Sequence, residues 1–550
     1  MKKIRVVARV MVLLFLLGAI SGCDVAEKVL SDIFTEQRAE SSKNDSKAHS
    51  MFGNGNQVLR IVSGSENREL EPLIESYASA NHLRIEMTYM GSVDMMRRLQ
   101  EETTDFDAVW PASSLWISMG DTTFRVKHSK STTITPVVFG VRKSLAEELG
   151  WIGKDVSIND IMEAIQAGKL KFCMTSATQS NSGASAYLGF LSGLSGSPEV
   201  LTAEHLHAPE LQTKVSELLA GVERSSGSSE WLKTLFLSGD FDAMVNYESL
   251  IITTNEEREK QGKEPLYVIY PYDGLAIADS PLGYLDQGDA KKEEAFLAFQ
   301  KFLASQEAQD AMQKLGRRTG YTGVFESNQS VFREDWGVDT KRILSPLPTP
   351  TAEVLQEALQ LYQTNFRKPS LSLYCLDFSG SMSGTGERQL KEAMDLIFDQ
   401  KKAAEVLLQA GEKEKNYIFI FNSAVIDSFF AEDGREESLA RLNERIKEQE
   451  ANGGTDMYYA LEEALSTLDG VDLSAYTPAI ILLTDGRSGG DFESFRGIYD
   501  AYGYDIPIFS ILFGDADREQ LEQLAEYTKA RVFDGREDLV NAFRSVKGYN

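Results

Sequence analysis

The chain has only three cysteines and five histidines in 550 residues. Cys173 and Cys375 sit in separate apolar runs, KFCMT and LYCLD, that read as buried strands of different domains. They are expected to be separate core thiols, with no disulfide between them. His49, His82, His128, His205 and His207 show no H-E-x-x-H or other metal-ligand spacing. His49, His205 and His207 fall in polar stretches and read as solvated. Positive charge is also scarce: 56 Lys and Arg against 83 Asp and Glu leave a formal net charge of −27. That balance favours solubility and speaks against nucleic-acid binding. A Gly-rich phosphate loop is absent, so nothing supports a nucleotide. No internal repeat occurs, and only one long apolar run is present, within residues 10–20. It is too short to span a bilayer comfortably.

That run follows a positive segment (Lys2, Lys3, Arg5, Arg9) and ends at Ile20-Ser21-Gly22-Cys23. Residues 1–22 therefore read as a secretory signal, and the ending resembles the bacterial lipobox. The resemblance implies cleavage before Cys23 and acylation of its thiol and new amine, which would anchor the protein to the cell membrane on its extracellular or periplasmic side. Residues 23–57 are largely polar (ESSKNDSKAHS, GNGNQ) and are expected to form a flexible tether carrying the lipidated cysteine.

The remainder is long enough for two or three domains. From Val58, strand-like runs (VLRIVSG, LRIEMTYMG, FDAVWPA) alternate with amphipathic helices (ELEPLIESYASAN, VDMMRRLQEE), which argues for an α/β domain over 58–345. TPVVFGVRKSLAEELGW, KLKFCMTSAT, DAMVNYESLIITTN and LYVIYPYDGLAIA are read as further strands. EEAFLAFQKFLASQEAQDAMQKLG is read as one long helix. Pro346, Pro348 and Pro350 open a linker with a helix over 346–369. Beyond it LSLYCLD, YIFIFNS, AIILLTD and IPIFSILFG are four apolar strand runs separated by helices, the pattern of a doubly wound parallel sheet over 370–550.

The first of those strands runs into Asp377-Phe378-Ser379-Gly380-Ser381-Met382. In locally extended chain, alternate residues point to one side, so Asp377, Ser379 and Ser381 can converge as one carboxylate and two hydroxyls. Hard oxygen donors of this kind suit Mg²⁺. The pattern is weak alone, since a polar turn looks the same. It gains meaning from Gly453-Gly454-Thr455-Asp456, which opens a helix, and Leu483-Thr484-Asp485-Gly486, which closes a strand. Together these closely resemble the von Willebrand factor A (VWA) family. Asp377, Ser379, Ser381, Thr455 and Asp485 match the five positions of that family's metal-ion-dependent adhesion site (MIDAS). The resemblance implies a Rossmann-like fold, a bound Mg²⁺ (or Mn²⁺), and a protein partner whose Asp or Glu completes the metal shell. A haloacid-dehalogenase phosphatase would need an Asp in place of Ser379, and no G-x-S-x-G elbow surrounds these serines. An enzyme is not expected.

Residues 58–345 resemble the type 2 periplasmic solute-binding proteins in order and texture. That resemblance implies two α/β lobes with a cleft between them, lined by strand-end loops and helix starts. Ser65, Ser92, Ser113, Ser182 and Tyr247 are the candidate ligand-binding residues. Ser180-Asn181-Ser182-Gly183 before AYLGFLSGL suits an anion, although plain N-capping needs only one of those serines. Glu66 and Glu248 instead suit a cationic or zwitterionic ligand. Arg317-Arg318 ends a helix and reads as a dipole pairing.

Two functions remain open: a lipoprotein joining small-ligand recognition to metal-dependent adhesion, or the substrate-binding lipoprotein of an ABC-type transporter. Cys23→Ser is expected to move the protein from the membrane to the soluble fraction of lysed cells, read by immunoblot. A variant that still sediments with membranes would remove Cys23 as the tether.

Overall fold

All eight residues of Ser370–Asp377 are buried, as in a central parallel strand covered on both faces. A computed structural model, which describes residues 49–101, 104–320, 323–343, 346–485, 488–513, 518–536 and 539–548, places this strand within a six-stranded sheet. Across that sheet the order is Val425–Ala431, Lys415–Phe421, Ser370–Asp377, Thr477–Thr484, Ile508–Leu512 and Val532–Asp534. Numbered along the chain, this is the doubly wound order 3-2-1-4-5-6. All pairs are parallel except the hairpin between Lys415–Phe421 and Val425–Ala431. Alternate residues of the central strand feed two cores. Tyr374 and Leu376 join one with helices Thr385–Phe398 and Glu436–Lys447, while Leu371, Leu373 and Cys375 join the other with Met457–Ser466 and Phe492–Tyr502.

The preceding region has two sheets. The first runs His49–Phe52, Leu83–Tyr89, Gln57–Ser63, Ala108–Trp110, Pro281–Leu285, Val126–Ser131. The second runs Leu266–Ile269, Thr135–Arg142, Ala243–Tyr247, Phe172–Thr175, Val222–Ser226, with Ile277–Ala278 also paired to Thr135–Arg142. The chain leaves the first sheet through residues 132–134 and returns through 279–280. Thr132 N–H donates to Ser280 O at 3.1 Å, and the Trp110 indole N–H reaches Ser280 Oγ at 3.0 Å. These crossings make a hinge between two lobes. The architecture is thus a two-lobed α/β domain followed by a Rossmann-like domain. Cys173 and Cys375 are buried free thiols, one in each.

Three local expectations change. The signal segment, Cys23 and residues 24–48 of the tether lie outside the described residues, but His49–Phe52, assigned to the tether, adds an antiparallel edge strand to Leu83–Tyr89. Backbone pairing and one buried side chain, Phe52, hold it, too little apolar content to stand out in sequence. ESLIITTN, read as strand, lies in the helix Glu248–Lys260. Residues Leu250 to Asn255 are all buried, and a helix covered all round loses its periodic signature. The long helix is two, Ala290–Leu303 and Gln306–Lys314, broken where Ser305 Oγ accepts from Ala308 N–H at 3.3 Å.

The linker helix Ala352–Leu361 buries Leu355, Ala358 and Leu359 in the second lobe, and Tyr187 donates its hydroxyl to Ala358 O at 2.9 Å. One wider π-turn, Tyr362–Phe366, adds two aromatic rings to the same core. Among the described residues no helix is long and apolar enough to cross a membrane. Because the connecting helix is part of a core, Leu359→Ala is expected to destabilise the two-lobed domain by about 2–5 kcal/mol, read from the urea midpoint by tryptophan fluorescence. An unchanged midpoint would mean the helix is only a spacer.

Candidate functional sites

Asp377 stands at the carboxyl end of its strand, beside the end of the parallel strand Thr477–Thr484, with Leu376 in register with Leu483. These are chain-order strands 1 and 4, where the winding of the sheet reverses and a crevice opens. Thr484 donates its hydroxyl to Asp377 Oδ2 at 2.6 Å, and Ser379 N–H donates to Oδ1 at 2.8 Å. Ser379 Oγ lies 3.1 Å from Ser381 Oγ, and Ser381 donates to Asp485 Oδ1 at 2.7 Å. Four of the five predicted donors thus form one hydrogen-bonded set, from a buried floor at Asp377 and Ser379 to an exposed rim at Ser381.

The fifth, Thr455, is on the adjoining loop. That loop is drawn in by Asn452 N–H on Phe378 O at 2.8 Å and Gly380 N–H on Gly453 O at 3.0 Å. Glycine suits both points of this approach: Gly453 has φ +83°, and a Cβ on Gly380 would crowd Gly453 O at 3.1 Å. Thr455 O accepts from Gly489 N–H at 3.1 Å, and Asp456 caps the helix Met457–Ser466.

Asp377 is 0 % exposed. Burial pushes its carboxyl above the usual range, Thr484 and Ser379 pull it back, and the nearby Asp485 charge adds to the rise. Its hydrogen-bond partners are neutral and its charged neighbour has the same sign, so a cation between the two carboxylates would relieve both. The donor set of two carboxylates and three hydroxyls fits Mg²⁺ chemically. Among the described residues no group of three or more His, Cys, Asp or Glu gathers as a metal cage; this centre draws instead on hydroxyls.

The inter-lobe cleft is closed. Trp116 of the first lobe donates its indole N–H to Asn181 Oδ1 of the second at 2.7 Å, and Asn181 Nδ2 donates to Tyr247 OH at 3.0 Å. Lys233 of the second lobe pairs with Glu69 of the first at 3.4 Å. Ser182 Oγ is shared among Thr175 Oγ1 (2.8 Å), Ser229 Oγ (2.8 Å) and Ser180 Oγ (3.3 Å). Ser92 accepts from Ala112 N–H at 3.2 Å, and Ser113 caps its own helix. Ser65 is half-buried at the start of the short 3₁₀ helix Ser65–Leu70. Ser182 and Tyr247 therefore belong to one polar wall, while Ser92 and Ser113 hold local backbone. Ser229 and Trp116 were missed, because each looks like a cap or a core residue until the lobes meet; Asn181, part of the segment expected to suit an anion, spends its side chain on Trp116 and Tyr247.

The buried arginines differ from the dipole reading. Arg318 makes a two-pronged pair with Glu248, Nε to Oε1 at 2.7 Å and Nη2 to Oε2 at 2.6 Å, and Tyr270 donates to the same carboxylate. Glu248 is thereby structural. Arg317 donates to Asn67 Oδ1 at 2.9 Å and to Glu66 O. The Glu66 carboxyl lies buried beside the Tyr247 wall, with no hydrogen-bond partner for Oε1 among the described residues.

Burial raises the Glu66 pKa from 4.5 to about 7, against the opposing pull of its own N–H and of Arg317. The folded state then holds a proton that the unfolded chain releases. This contribution to stability is full below pH 4.5 and is lost as pH rises through about 7. Glu66→Gln is expected to remove that decline, making the variant more stable relative to wild type by about 1–3 kcal/mol at neutral pH. Urea unfolding at stepped pH checks it; parallel curves for the two proteins would show that folding leaves the Glu66 pKa unshifted.

Residues 59–318 match the family model described as bacterial extracellular solute-binding protein. Residues 373–541 match that of the von Willebrand factor type A domain. No curated protein matches the chain. Among solved structures, the sulfate-binding protein SubI from Mycobacterium tuberculosis H37Rv is 16 % identical over 55 % of this chain and 96 % of its own, with a TM-score of 0.37. The periplasmic binding protein AfuA from Actinobacillus pleuropneumoniae is 14 % identical over 48 % and 85 %, with a TM-score of 0.37. A von Willebrand factor type A protein from Catenulispora acidiphila is 19 % identical over 34 % and 43 %, with a TM-score of 0.29. The chain thus joins a bacterial extracellular solute-binding domain to a von Willebrand factor type A domain in one polypeptide.

Proposed function

We propose that this is a membrane-anchored, extracytoplasmic binding lipoprotein. Its VWA domain docks a protein partner through Mg²⁺ or Mn²⁺, and its two-lobed domain recognises a small ligand. The observation that carries the first half is the hydrogen-bonded run Asp377–Ser379–Ser381–Asp485 at the sheet's switch point, open to solvent at Ser381. Asp377, Ser379, Ser381, Thr455 and Asp485 would hold the ion. Bound there, the metal supplies an electrophilic centre for a carboxylate from the partner. Two carboxylates and three neutral hydroxyls make five donors, one short of the octahedral six that Mg²⁺ prefers, which leaves a position for an incoming Asp or Glu. The chemistry is adhesion without bond cleavage. Lipidation at Cys23 would hold both domains outside the membrane.

The alternative reading, a substrate-binding component of an ABC-type transporter, rests on the solute-binding match over 59–318. In that case the VWA domain would be a docking accessory.

Millimolar Mg²⁺ is expected to raise the melting temperature of the VWA transition by several degrees, since an ion at about 100 times its Kd adds about 2.7 kcal/mol. Asp377→Ala should abolish the rise, and an unchanged rise in the variant would remove the site assignment. Crosslinking in intact cells with Mg²⁺, with EDTA and with Asp377→Ala then separates the two functions. A partner lost under both treatments supports adhesion; a permease captured regardless of metal moves transport to first place.

A further inference from the structure

The VWA domain ends in the helix Leu539–Gly548, and Arg544 on that helix is 3 % exposed. Its guanidinium does not serve its own domain alone. Nε donates to Asp94 Oδ1 at 2.9 Å, and Nη2 approaches the same oxygen at 2.6 Å. Nη2 also donates to Thr178 O at 3.2 Å, and Nη1 donates to Val406 O. In return Gln179 donates its side-chain amide to Arg544 O. Asp94 lies in the first turn of Ser92–Gln100, on the lip of the first lobe. Thr178 and Gln179 lie just before Asn181–Leu194, on the lip of the second. One side chain of the VWA domain therefore holds both lips of the cleft.

The lips themselves touch at this point. Val93 N–H donates to Gln179 O at 3.3 Å, and a Cβ on Gly91 would lie 2.1 Å from that oxygen. A Cβ on Gly548 would lie 2.2 Å from Gln179 Oε1, so the helix is seated without a gap. Further contacts steady the domain on each lobe. Arg97 donates to Glu405 O at 2.9 Å on the first, and Arg224 donates to Lys529 O at 3.2 Å on the second. Arg531 stacks 4.8 Å from the Trp231 ring.

We infer that the terminal helix of the VWA domain is a latch on the solute cleft: Arg544 ties Asp94 of one lobe to Thr178 of the other, so the cleft opens only when this helix withdraws. Opening the lobes separates Asp94 from Thr178 and leaves a buried guanidinium with partners on one side only, which is costly. The VWA domain thereby governs access to the cleft. Any force or partner that draws it off the lobes admits a solute. This rests on the reading of the cleft as a site that opens, and not on the metal centre.

Amide hydrogen exchange on the full chain tests the latch with no added ligand. Arg544→Ala and Asp94→Ala are each expected to speed exchange in peptides spanning 92–99 and 180–187 by at least about tenfold, since a charge-assisted hydrogen bond is lost from a site of local opening. Exchange in 370–377 and 477–484 should stay at the wild-type rate, reporting an intact VWA sheet. Should Arg544→Ala loosen that sheet, Asp94→Ala, which lies outside the VWA domain, decides. Wild-type protection at both lips in Asp94→Ala overturns the latch. The same measurement on Asp377→Ala keeps the two ideas apart: lips that stay protected there, with metal stabilisation lost, leave the latch and the metal reading both standing.

Discussion

A carboxylate buried at the end of a parallel strand is tolerated only if its surroundings answer its charge, and Asp377 is such a group. Desolvation of an ionised carboxylate costs several kcal/mol when it is left alone. Here the neighbouring strand supplies the Thr484 hydroxyl and the following turn supplies the Ser379 N–H. Both are fixed by the register of the two central strands. The loop carrying Thr455 is held in turn by backbone bonds to Phe378 and Gly380. The reversal of winding between strands 1 and 4 thus determines where the oxygen donors gather, and the two flanking cores hold that point rigid.

The same problem, solved differently, organises the two-lobed domain. Glu248 is buried at the start of its helix and receives Arg318 and Tyr270, a complete set of partners that makes it part of the framework. The Glu66 carboxyl is answered among the described residues by its own N–H and by Arg317, and burial lifts its pKa to about 7. Two acidic residues that look alike in sequence therefore have different roles. One knits the framework, and the other leaves a partly answered carboxyl beside the Tyr247–Asn181 wall.

Much of the fold was legible in order and spacing. LSLYCLD, AIILLTD and IPIFSILFG became central strands, because a strand buried on both faces must be apolar throughout. The residues of the proposed metal site stood out because two of their three segments are strand ends and the third opens a helix. Other features were hidden for particular reasons. Phe52 is a single apolar residue in a short edge strand. Leu250 to Asn255 are buried on every side of a helix, which erases the periodic signal. Ser305 breaks a helix whose apolar residues continue through the break. Arg317 and Arg318 follow a helix, where a dipole pairing is the simpler reading; their true partners, Glu66, Asn67 and Glu248, are distant in sequence.

By itself, the sequence determined the alternation of strands and helices, the two α/β regions, and the five oxygen-bearing residues that match the adhesion motif. These are properties of local chain: periodicity, turn chemistry and residue type at short spacing. Only the tertiary structure decided that Ser182 is spent on a hydroxyl cluster and that the linker helix belongs to a core. It alone placed Arg544 on Asp94, 450 residues away, across the mouth of the cleft. A contact of that separation imposes no period and no local composition, and its energy exists only once three folded units meet.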